Sequence, residues 1–65
     1  MWYTDGMENN YALRLPGKQT KCVIVKATSF AEALKAANAP AGTTGNGVFD
    51  YVAEMMIEKG VATRA

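Results

Sequence analysis

The chain contains no histidine and a single cysteine, Cys22, and these two shortages exclude most familiar site chemistry. One cysteine cannot close a disulfide within the chain, and without histidine the usual structural zinc schemes lack their ligands. General bases and activated nucleophiles are scarce for the same reason. Ser29 is the only serine, and Cys22 stands in an apolar run where a buried, inert thiol is expected. The chain therefore reads as non-enzymatic, with no catalytic residue, no metal and no cofactor.

Long apolar runs are also missing. The longest strongly apolar stretch is Cys22-Val23-Ile24-Val25, against the roughly 20 residues a membrane span needs. The opening Met1-Trp2-Tyr3-Thr4-Asp5-Gly6 has no basic region and no apolar core of signal-peptide length, so a cytoplasmic location is expected. Nor does one sign of charge dominate. Seven Lys or Arg against six Asp or Glu leave a net charge of +1, which argues against the basic excess of a protein that binds nucleic acid by counterion release, and against an acidic mimic.

What is present is a small domain with 49% apolar residues over 65 positions, read as one unit spanning 1–65. A chain this short buries only about 60% of its unfolded surface, so its stability is marginal without help. Disulfides and metals being excluded, association with a partner or a second copy is the remaining supplement. A homodimer is accordingly expected.

Residues 1–4 are aromatic and β-prone, and Asp5-Gly6 with the polar Glu8-Asn9-Asn10 reads as a turn, suggesting a short first strand. Tyr11, Leu13 and Leu15 alternate with smaller or charged residues and share one face of a strand. Pro16-Gly17 supplies the next turn. Residues 21–27 are rich in β-branched side chains and form the clearest strand, with Cys22, Ile24 and Lys26 on one face and Val23, Val25 and Ala27 on the other.

Ser29-Phe30-Ala31-Glu32 is a capping box, followed by Phe30, Ala33, Leu34 and Ala37 at helical spacing up to about Asn38. Residues 39–47 read as a glycine-rich linker, in which Thr44 or Asn46 caps the next helix. The linker lacks the lysine of a phosphate-binding loop and follows a helix rather than a strand. A second helix is expected over 48–59, with Val48, Phe49, Val52, Met55 and Met56 as its apolar stripe, Ala53 and Ile57 at the margin of it, and Gly60 as its left-handed cap. The expected fold is α+β, a small two- or three-stranded antiparallel sheet followed by two helices packed on one face. Apolar residues on both faces of the 21–27 strand would then leave some sheet surface for a partner.

Charge is distributed unevenly. Between Asn9 and Ala31 there are four cations, Arg14, Lys18, Lys21 and Lys26, and no acid. Asp50, Glu54 and Glu58 recur every four residues and form an acidic stripe on the second helix. The dipole does not favour Glu58 in the last turn, so the stripe is a candidate contact surface for a basic partner. Arg14, Lys21 and Lys26 make the second candidate, and with Trp2, Tyr3 and Tyr11 as stacking platforms they admit an alternative reading as a nucleic-acid-binding module.

The apolar strand leading into Ala27-Thr28-Ser29-Phe30-Ala31-Glu32-Ala33-Leu34-Lys35-Ala36-Ala37 resembles the strand-to-helix step of small phage-encoded proteins, among them inhibitors of host RNA polymerase and anti-CRISPR proteins. That resemblance implies a phage protein that inhibits or modulates a larger nucleic-acid-handling or defence complex by protein binding. Pro16-Gly17 and Phe30-Ala31-Glu32-Ala33-Leu34 are also similar to elements of HicB-type antitoxins, which would imply an antitoxin-like regulatory subunit. Neither resemblance carries functional residues over to this chain.

Overall fold

A computed structural model describes residues 8–17 and 20–65. The element order is β1 (Asn9–Arg14), β2 (Cys22–Ala27), α1 (Phe30–Ala36), β3 (Thr44–Val48), α2 (Asp50–Glu58) and β4 (Ala62–Arg64). The expected strand at 1–4 and turn at Asp5-Gly6 lie outside the described residues, as do Trp2 and Tyr3. Asn9 and Asn10, expected in that turn, begin β1 instead.

The class is α+β, but the sheet differs from the expectation. It has four strands in the order β3-β1-β2-β4 and is mixed. β1 runs antiparallel to both β2 and β3, while β4 is parallel to β2, so β2, β3 and β4 all point one way and β1 opposes them. Two additional strands come from segments with weak local signal. The segment read as a linker holds β3, whose Thr44-Gly45-Asn46-Gly47-Val48 pairs residue by residue with Arg14 back to Asn10. β4 is only three residues long and lies beside Cys22, Val23 and Ile24.

The two helices occupy opposite faces, which corrects the expected packing on one face. Parallel strands joined through a helix cross over with right-handed geometry almost without exception. The β2-α1-β3 crossover travels one way across the sheet and the β3-α2-β4 crossover travels back, so the same handedness places the helices on opposite sides. Strand alternation agrees. Leu13, Val25 and Ala27 pack with Ala33 of α1, joined by Tyr11, Leu15, Val23 and Leu34. Ala12, Cys22, Ile24 and Ala62 pack with Ala53 of α2, joined by Val48, Met56 and Ile57. The apolar residues on both faces of β2 are thus covered within the chain, and the leftover sheet face anticipated at this strand does not exist.

Both cores are thin. Among the described residues five of the nine buried apolar ones are alanine, and only Leu13 and Ile24 are large side chains fully removed from solvent. Helices of seven and nine residues do not persist alone in water, so each depends on this contact with the sheet.

Helix ends follow the sequence closely. Ser29 Oγ accepts from the Glu32 N–H at 3.1 Å, which is the capping half of the expected box. Both helices close with paired C-terminal bonds. Ala39 N–H donates to Leu34 O at 3.0 Å and Asn38 N–H to Lys35 O at 3.1 Å, while Val61 N–H donates to Met56 O and Gly60 N–H to Ile57 O, both at 3.0 Å. The left-handed residues these closures require are Asn38 (φ 53°) and Gly60 (φ 81°). The start of α2 differs: Phe49 is its N-cap, no side chain caps it, and Thr44 and Asn46 belong to β3.

Candidate protein-binding surface

The acidic stripe is real as a spacing but is not free along its length. Asp50 opens α2 above Asn10 and Lys26, residues that face each other across β1 and β2. Asn10 is 3% exposed and its Nδ2 donates to the Asp50 carboxylate. The Lys26 ammonium lies 4.0 Å from the same carboxylate. One turn later Glu54 accepts from Arg64 of β4 at 2.7 Å. Glu58 is exposed and has no ion pair among the described residues.

The stripe and the basic strand, separate in the sequence, therefore meet on one side of the sheet. Lys26 is paired with Asp50 and does not stand as part of an open basic patch. Arg14 ends β1 on the α2 face and is exposed; Lys21 precedes β2 and is exposed. Arg14, Lys21 and Lys26 do not form one continuous groove. Both ion pairs are solvent-exposed, so each adds at most about 1 kcal/mol. The Asn10 Oδ1 is buried with no partner among the described residues, an arrangement that costs about 1–3 kcal/mol where nothing else supplies the bond.

Periodicity assigns Phe49 and Met55 to the wrong side of α2. Phe49 and Met55, expected in the buried stripe, are 73% and 43% exposed. Ala53 is the point of closest approach, and the stripe that faces the sheet is Ala53, Met56 and Ile57. Phe49 retains extended backbone angles (φ −70°, ψ 158°) as the cap, so its ring leaves the strand and not the helix. It stacks on Tyr51, ring centroids 5.9 Å apart and planes within 7°, and Tyr51 is 68% exposed. Tyr51, Glu54, Met55 and Glu58 fall at helical spacing on the outward side of α2. This surface couples an aromatic pair and a thioether to carboxylates. Tyr51 stood outside the expected stripe, and its partnership with Phe49 has no helical spacing to announce it.

Beside this surface lies the uncovered margin of the sheet. α1 rests mainly on β2 and β1, and α2 on β4 and β1, so β3 is the strand least covered by the helices and meets the α2-side core through Val48 at its end. A cleft of about 160 Å³ opens between Tyr11 and Phe49 over Gly47. A second of about 320 Å³ opens on the α2 face, with Arg14, Thr44, Asn46 and Met56 among its walls. Among the described residues, no group of three or more Cys, Asp or Glu side chains is placed to hold a metal ion. No helix among them is long and apolar enough to cross a membrane. No known protein family, curated protein or solved structure matches the chain.

Proposed function

We propose that this is a non-enzymatic protein-binding protein that uses the outward side of α2 to occupy a basic surface on a larger assembly, as an inhibitor or modulator of a nucleic-acid-handling or defence complex in the cytoplasm. A phage origin fits that reading. The observation that carries it is the stacked Phe49–Tyr51 pair, about 70% exposed and set at the start of an acidic helix. Aromatic side chains dominate the binding energy of protein interfaces, and their exposure in a small domain is unusual without a partner. Glu58 and the partly exposed Glu54 would add electrostatic steering toward a basic surface, effective within about 10 Å at ordinary ionic strength. A homodimer belongs to the same proposal, because the alanine-rich cores leave stability to be gained from association.

Affinity capture from a cytoplasmic extract, quantified by mass spectrometry, tests it. The native chain is expected to retain a defined complex that Phe49→Ser with Tyr51→Ser reduces at least about tenfold, with a smaller loss for Glu58→Lys. Retention of the same complex by both variants overturns the assignment to α2.

A further inference from the structure

We infer that β3 is the seam of a symmetric dimer, pairing antiparallel with β3 of a second copy about a two-fold axis at Asn46. This rests on the homodimer reading and specifies its surface. Among the described residues β3 pairs only with β1, so its other side presents unpaired backbone donors and acceptors. Edge strands are commonly blunted by charge, proline or extreme shortness. β3 has none of these: its five residues are Thr44-Gly45-Asn46-Gly47-Val48.

The strand is self-complementary in shape. A two-fold axis at Asn46 sets Asn46 against Asn46 of the second copy, Gly45 against Gly47, and the β-branched Thr44 against Val48. An isologous contact needs this property, since one patch must fit its own image. The opposed Asn46 amides would stand about 5 Å apart at Cβ, within reach for side-chain hydrogen bonds. On the α1 face the four glycines leave a patch without side chains, and Phe49 of each copy stands at one end of it. A strand contact alone falls short of the roughly 1,200 Å² of a stable interface, so the dimer expected is a weak one.

Electrostatics permit the pairing. No residue from Ala36 through Phe49 is charged. Arg14, the register partner of Thr44, is the nearest cation on the adjoining strand. Strand spacings place the two copies of it about 20 Å apart, beyond the screening length. Gly47 points the same way. A Cβ there would meet nothing nearer than Tyr11 Cε1 at 3.7 Å, so the fold of one copy does not require glycine at this position. Glycine within a strand is found where another backbone or ligand approaches closely.

Sedimentation equilibrium of the full chain from about 10 µM to 1 mM, with the Asn46→Lys variant alongside, reads the association. The native chain should approach dimer mass across a range expected of a small interface. Asn46→Lys sets like charges opposite each other and should weaken association at least about tenfold, with an unchanged circular dichroism spectrum because Asn46 is exposed. Isotope-filtered NMR on a mixed labelled and unlabelled sample should show contacts between Gly45 of one copy and Gly47 of the other. A monomer throughout overturns both the dimer and the seam. A dimer indifferent to Asn46→Lys, or one whose β3 is paired by residues 1–7 of its own chain, overturns the seam and leaves the homodimer standing.

Discussion

β4 and β3 border the same sheet and are treated differently by the rest of the molecule. β4 is short, parallel to its neighbour and roofed by α2, with Arg64 tied to Glu54 above it. Its flanks are fastened as well, Cys22 N–H donating to Val61 O and Ala65 N–H to Ile24 O, both at 3.0 Å. β3 is longer, carries two glycines and is covered by the helices only at Val48. A helix gains apolar burial only where the sheet offers side chains, and Gly45 and Gly47 offer none on the α1 face. Edge protection here follows from where packing pays, so the margin that the helices leave is the margin available to another molecule.

The sharpest break of this contrast is a truncation on each side. Ile24→Ala, at a fully buried residue paired beside β4, should cost about 3 kcal/mol or more in a urea melt, whereas Val48→Ala on β3 should cost about 1 kcal/mol. Equal costs would show that the β3 margin is as deeply integrated as the inner strand β2 that β4 flanks.

A finer division runs within β3 itself. At Gly45 an added Cβ would lie 2.5 Å from Ala12 O and 2.9 Å from Leu13 Cδ2, so Gly45→Ala should destabilise by about 2 kcal/mol. Gly47→Ala, where an added Cβ would make only ordinary contacts with Tyr11 Cε1 at 3.7 Å and Asn10 O at 3.9 Å, should change stability by less than about 0.5 kcal/mol. Similar losses at both positions would mean that the inner contact of the strand, with β1, accounts for both glycines. The smallest expected effect is at the roofed edge: Arg64→Ala should shift stability by less than about 0.5 kcal/mol, measured with and without 0.5 M salt, because the pair it breaks is exposed.

Much of the architecture was legible in local pattern. The alternation in β1 and β2, the Ser29 cap and the Gly60 closure all concern residues whose partners lie within a few positions or whose faces follow from period two. The failures share another cause. Thr44-Gly45-Asn46-Gly47-Val48 has poor strand propensity of its own, and becomes a strand through pairing with β1 some 30 residues earlier in the chain. β4 is too short to show any period. Phe49 and Met55 were misplaced because Ala53, the smallest apolar residue in α2, sets the side that meets the sheet. The acidic stripe was visible, but Lys26 and Arg64, which neutralise part of it, reach it only through tertiary structure.

Ala33 is the only fully buried residue of α1, and it is the smallest side chain that can anchor a helix. The attachment is close and therefore weak, with few methylenes to withdraw from water when it breaks. On the timescale of amide hydrogen exchange, α1 should behave as a separate opening unit, its backbone hydrogens lost well before those of β1 and β2. Such detachment would expose the Leu13 and Val25 side of the sheet, and because α2 likewise has a single buried anchor, Ala53, each face would carry its own half-life of protection.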